Sequence, residues 1–206
     1  MSVRIMAAGK SALLLEVDSD AEVASLHREL MNRQEDGRLG RVVEIVPAAR
    51  TVLLDGLARP ELVAAQFEGW LPQSSVPPEG DAVTVPTRYD GEDLAEVAAL
   101  WGVSAAEAVR IHTGAEYRVA FCGFAPGFAY LTGLPGQYAV PRRATPRTRV
   151  PAGSVALAGG YTGVYPGASP GGWQLLGHTS LTVWDLGREP AALLLPGTRV
   201  RFVEQT

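Results

Sequence analysis

The chain has 206 residues, 47% of them hydrophobic and 19% charged, with a formal net charge of −4. That balance is globular rather than disordered; no apolar run reaches the roughly 18 residues of a membrane helix, and the acidic balance excludes non-specific nucleic-acid binding as a main role. The single cysteine, Cys122, excludes an internal disulfide and a cysteine-based zinc cluster, and the first residues lack the apolar core of a secretory signal, so a cytoplasmic protein is expected.

Short strands are expected over residues 5–8 and 13–17, around a Gly9-Lys10 turn. Ser19 followed three residues later by Glu22 spells a capping box, in which the hydroxyl accepts from a free helix amide while the carboxylate reaches back. Val23, Leu26, Leu30 and Met31 follow at helical spacing, which predicts an amphipathic helix over 19–35. Residues 42–46 and 51–54 read as strands and 59–69 as a second helix. The order ββαββα implies one sheet with helices on a single face. Residues 71–81 hold three prolines, two serines and a glycine. That is a linker composition, and it divides a small α+β domain (1–78) from a second domain (79–206). His27 reads as a surface histidine. The first domain is expected to supply packing and partner contacts rather than chemistry.

In the second domain residues 83–86 form a strand that Pro86 ends. Asp90 is expected to cap a helix over 93–101, and Ser104 with Glu107 forms another capping box for a helix reaching about His112. From Tyr117 onward the pattern changes to short strands at 117–124, 155–158, 174–176, 181–184 and 200–203, separated by Gly and Pro turns. This is the signature of a β-barrel or sandwich.

The stretch 123–177 holds 12 of the 23 glycines and 7 of the 15 prolines. Glycine allows close backbone approach and proline fixes φ, so together they build rigid, irregular loops suited to ligand binding. Between Glu116 and Asp185 there is no Asp, Glu or Lys; the permanent charges are Arg118, Arg142, Arg143, Arg147 and Arg149, and His178 can titrate. A pocket here would be neutral to positive and would suit a carboxylate or phosphoryl group, because guanidinium donates in a planar fork. A carboxylate pair for acid–base work cannot come from this stretch. His27, His112 and His178 have no metal-ligand spacing, and no phosphate-binding Gly-x-x-x-x-Gly-Lys motif occurs. A Cys122–His112 nucleophile pair is conceivable, but Cys122 sits in the apolar run 119–124, where a small buried hydrophobe is expected.

The run Gly123-Phe124-Ala125-Pro126-Gly127-Phe128-Ala129-Tyr130-Leu131 resembles a signature of the family of 5-oxoprolinase B subunits, also called allophanate hydrolase subunit 1 or the kinase-A-inhibitor family. Matching pieces follow in order at 141–143, 146–147, 150–155, 162–166 and 169–177, with 89–94 and 111–113 upstream. The resemblance is dense from about 83 to 204 and thin before that.

The resemblance implies a small α/β-sandwich-like domain of the α+β class followed by a cyclophilin-like β-barrel. It implies direct association with the 5-oxoprolinase C subunit, with which one active site is shared, and cooperation with the A subunit. Together they would convert 5-oxoproline to glutamate. ATP is the implied co-substrate, at the interface with a partner, and no metal site is expected. Phosphorylation of the lactam oxygen would supply the leaving group that a resonance-stabilised amide lacks, leaving the protein to position the substrate and stabilise charge. On matching positions, Arg147, Gln174 and His178 are the catalytic candidates, while Arg143, Phe128, Tyr130, Gly163 and Tyr165 are the substrate-binding ones. One departure stands out: where the family usually reads Arg-Thr-Pro, this chain reads His178-Thr179-Ser180. Two other functions fit the same kinship: a binding module that inhibits a sensor histidine kinase, and one component of a urea or allophanate amidolyase.

Overall fold

The computed structural model describes residues 3–71 and 82–205. Most of the expected linker therefore lies outside the described residues. The chain divides into two compact units, Met1–Pro78 and Glu79–Thr206.

The first unit contains strands β1 (Arg4–Ala7) and β2 (Leu13–Glu16), helix α1 (Asp20–Glu35), strands β3 (Glu44–Pro47) and β4 (Thr51–Asp55), and helix α2 (Pro60–Ala65). The strands form one antiparallel sheet in the order β1-β2-β4-β3. α1 begins with the expected capping box: Ser19 Oγ accepts from the Glu22 amide at 3.3 Å, and Glu22 Oε2 accepts from the Ser19 amide at 3.1 Å. Val23, Leu26 and Leu30 on α1 meet Leu13, Leu15, Val52 and Leu54 from the sheet and Val63 and Phe67 in one core. Burying each such side chain contributes about 1.5–3 kcal/mol. α2 is shorter than the composition of 59–69 suggests; Pro60 starts it, and Gly69 at φ +71 ends the turn that follows. His27 is half-buried rather than a surface group, and burial lowers its pKa.

The second unit holds β5 (Val83–Thr87), α3 (Leu94–Trp101), α4 (Ala105–Gly114), β6 (Tyr117–Cys122), β7 (Ala129–Thr132), a single 3₁₀ turn (Gly136–Tyr138), β8 (Arg147–Val150), β9 (Ser154–Ala158), β10 (Tyr161–Val164), β11 (Ser169–Gly171), β12 (Gln174–His178) and β13 (Arg199–Glu204). Seven strands form a sheet in the order β12-β9-β10-β7-β6-β13-β5, while β8 and β11 make a separate two-stranded ribbon. The two edges of the large sheet then meet. Arg88 and His178 exchange both backbone hydrogen bonds at 2.9 Å, Gly91 donates to Leu176 at 3.0 Å, and Asp93 donates to Leu175 at 3.1 Å. The result is a nearly closed barrel filled by Val85, Tyr117, Val119, Leu131, Val155, Val200 and Phe202. Gly177 permits the closure, because a Cβ there would collide with the Arg88 carbonyl.

Three local expectations change. Pro86 does not end its strand; β5 runs to Thr87, which is allowed because β5 is paired only with β13 and its other side needs no donor from Pro86. Residues 181–184 form no strand. They contribute one isolated bridge, Trp184 to Ala192, flanked by backbone bonds from Leu193 to Val183 and from Asp185 to Ala191, and the Arg188 guanidinium also donates to the carbonyls of Thr182, Val183, Pro190 and Ala191. Asp90 caps no helix: α3 starts at Leu94 with Asp93 at the cap position, and Asp90 faces the barrel seam instead. Strands β7, β8, β10 and β11 are additional to the expected ones; glycine and proline interrupt the pattern of β10 and β11, while β7 and β8 are four-residue strands that contain neither.

Candidate functional site

The segment that closes the barrel carries acids onto the arginine loop. Asp93 is the pivot, and it is 2% exposed. Its Oδ1 accepts from Arg143 Nη1 at 2.6 Å and Arg147 Nη2 at 2.8 Å, while Oδ2 accepts from the Leu175 amide at 2.7 Å. Burial pushes its carboxyl pKa up. Hydrogen bonds from Arg147 and Leu175 and the charges of both arginines outweigh that effect and hold it below the ordinary value. With its oxygens engaged this way, Asp93 makes no side-chain cap bond to α3. Glu92 also reaches Arg147 Nη2, at 3.0 Å, from a side chain that is 77% exposed. The stretch that lacks acids in sequence therefore does not lack them in space.

The same closure gathers the other polar candidates. The Arg143 amide donates to the Gly172 carbonyl at 2.8 Å, and Arg147 pairs with Gly171 across the β8–β11 ribbon. Gln174, buried at the start of β12, donates from Nε2 to the Pro141 carbonyl at 3.3 Å. Among the described residues, Arg143 Nε, Arg147 Nη1, Gln174 Oε1 and Ser169 Oγ are buried without a hydrogen-bond partner. Each such group costs about 1–3 kcal/mol, so their concentration around two loops marks this as the candidate site.

Aromatic rings form the floor. Phe128 packs edge to face on Trp173, Tyr165 and Tyr130, each with centroids 5.2 Å apart, and both Phe128 and Tyr165 are buried. Gly163 lies against them; a Cβ there would stand 3.0 Å from Phe128 and 3.1 Å from Trp173. Burial pushes the Tyr165 phenol up, against the lowering pull of Arg142 and Arg147. Tyr130 is half-buried and stacks on Phe121 at 4.4 Å. Phe124, absent from the sequence-based candidates, is 62% exposed at φ +70, and its ring edges onto Phe128 and Tyr165 at 5.3 and 6.4 Å. A bulky residue in the left-handed region is strained, and such strain collects at functional sites.

His178 stands at the end of β12. Its Nδ1 lies 2.8 Å from Asp90 Oδ1, and Asp90 Oδ2 forms an ion pair with Arg88 Nε at 3.2 Å. Its partners are thus the seam residues rather than Arg147 or Gln174. Cys122 and His112 do not form a nucleophile pair. Cys122 Sγ donates to the Leu194 carbonyl at 3.3 Å, and burial raises its pKa. His112 is fully buried, with Nδ1 2.6 Å from the Tyr89 hydroxyl, and burial lowers its pKa to about 3. Among the described residues, no group of three or more His, Cys, Asp or Glu side chains could hold a metal ion.

A nearly closed barrel with an arginine-bearing seam, preceded by a small α+β unit, defines a carboxyltransferase-type domain. The family described as "Carboxyltransferase domain, subdomain C and D" matches residues 3–194, and the chain belongs to it. Within that class the chain is similar to the 5-oxoprolinase B subunit of Escherichia coli O157:H7, at 43% identity over 205 residues, 96% of this chain and 94% of the relative. The solved structure of TTHA0988 matches with a TM-score of 0.79 and 36% identity over 95% of this chain, which spans 40% of that longer chain. The urea amidolyase of Kluyveromyces lactis, 20% identical with a TM-score of 0.77 over 99% of this chain and 15% of its own, shows a shared fold alone.

Proposed function

We propose that this chain is the B subunit of an ATP-dependent 5-oxoprolinase, working in the cytoplasm with the A and C subunits to convert 5-oxoproline to glutamate. The observation that carries the reading is the nearly end-to-end match, at 43% identity, to a protein of that name. ATP is the co-substrate at the seam with a partner. Its terminal phosphoryl group passes to the lactam oxygen and ADP leaves; one water then adds as the ring C–N bond breaks, giving an acyl phosphate, and a second water cleaves that to glutamate and phosphate.

In this reading Arg147 and Arg143 hold the substrate's carboxylate, and Gln174 hydrogen-bonds the lactam. Phe128, Tyr130, Gly163 and Tyr165 shape the wall behind it. His178, where the family usually carries arginine, is a fourth polar group offered to the substrate. The unpaired donors on both arginines and the unpaired acceptor on Gln174 support these roles, since the three groups complement a molecule with one carboxylate and one amide. The test is reconstitution: the chain is co-expressed with the A and C subunits, and 5-oxoproline-dependent ATP hydrolysis is measured with and without it. Full activity in its absence, or none in its presence, rejects the assignment.

A further inference from the structure

We propose that two acids adjacent in sequence act on Arg147 in opposite senses: Asp93 is the positioning residue that fixes the Arg143–Arg147 pair, and Glu92 stands where the substrate's carboxylate binds. This rests on the reading of the two arginines as anion holders given above. Burial separates the roles. The Asp93 side chain is 3% exposed and that of Glu92 is 77% exposed, yet both contact the same Arg147 Nη2, at 2.8 and 3.0 Å. Asp93 also holds Arg143 at 2.6 Å and the Leu175 amide at 2.7 Å, so it ties both guanidinium groups to the closing strand β12 and cannot leave without stranding buried charge. Glu92 makes one solvent-exposed ion pair, which is worth little and is easily displaced. The group it places on Arg147 is a carboxylate, the same acceptor that 5-oxoproline carries. Arg147 Nη1, buried without a partner, gives an arriving carboxylate a second donor on the same guanidinium.

Coulomb's law alone makes a different forecast. Asp93→Asn and Glu92→Gln each remove one negative charge beside Arg147, so electrostatics by itself would tighten anion binding in both. The proposed roles require opposite signs. In the reconstituted complex, Glu92→Gln should lower the KM for 5-oxoproline about 2–5-fold, the range an exposed pair allows. Asp93→Asn should raise it by about 10-fold or more, because the fork is no longer held in register. The KM for ATP should stay unchanged in both, which a general loss of structure would not produce. If both variants lower the KM for 5-oxoproline, the positioning role is overturned. If Glu92→Gln leaves it unchanged or raises it, the placeholder role is overturned. If Asp93→Asn does not fold, Arg143→Lys keeps the charge but loses the fork; it must raise the same KM, and an unchanged KM overturns the pairing. A wild-type complex with no 5-oxoproline-dependent turnover rejects the functional reading itself, and that is visible before any variant is made.

Discussion

Acid should unfold the barrel unit through one histidine, and His112→Phe should remove most of that sensitivity. His112 lies on the last turn of α4 against β13, fully buried, with its ring 4.6 Å from Phe202 and 5.3 Å from Tyr117. Burial lowers its pKa from 6.5 in the unfolded chain to about 3 in the fold. Between those two values the unfolded chain binds a proton that the folded chain refuses. Stability is therefore fully present above pH 6.5 and declines as the pH falls toward 3. The slope is about 1.4 kcal/mol per pH unit, so the whole window is worth up to roughly 5 kcal/mol, comparable to the total stability of a small domain. Asp93 contributes in the same direction, but only as the pH falls through and below its ordinary value of 3.8, so within the barrel unit the upper window belongs to His112, while the lowered pKa of His27 acts on the first unit. Urea melts followed by tryptophan fluorescence, from about pH 8 down to about pH 4, read the slope directly. His112→Phe should start less stable, having lost the Tyr89 hydrogen bond, and should show a markedly flatter profile. Parallel profiles for the two proteins would refute the assignment.

Arg147→Ala should cost about 10- to 150-fold in kcat/KM for 5-oxoproline in the reconstituted complex, the worth of a charge-assisted hydrogen bond; full activity would remove Arg147 from the site. Phe124→Gly should leave the melting free energy within about 1 kcal/mol of wild type, because relief of left-handed strain offsets the added freedom of glycine. Phe128→Ala, which empties the middle of the aromatic floor, should cost about 3–5 kcal/mol by the same melt. Gly177→Ala should destabilise the barrel unit by about 1–3 kcal/mol, seen as a lower Tm and faster amide exchange at Leu175 and Leu176, since its Cβ meets the Arg88 carbonyl.

Features that depend on a few neighbouring residues were legible in the sequence. The Ser19–Glu22 box starts α1, and Ser104 Oγ accepts from the Glu107 amide at 3.2 Å to start α4, because capping is decided within one helical turn. The switch to glycine- and proline-punctuated strands after Tyr117 likewise announced a β-barrel or sandwich. Asp90 misled because a short carboxylate just ahead of a helix reads as its cap, and only the fold supplies His178 as a competing partner. Asp93 gave no signal of its own: it is one acid among three between Asp90 and Asp93, and nothing in the chain's local pattern separates it from Glu92.

By itself the sequence determined which segments become helices, that glycine and proline would build stiff loops between 123 and 177, and that arginine would be the charge within them. Only the tertiary structure decided which acids meet those arginines. Closing the barrel sets residues 88–93 along β12 and carries Asp93 to partners 50 and 54 positions away. Ion pairing follows distance in space, and a chain fixes that distance only once its two sheet edges have joined.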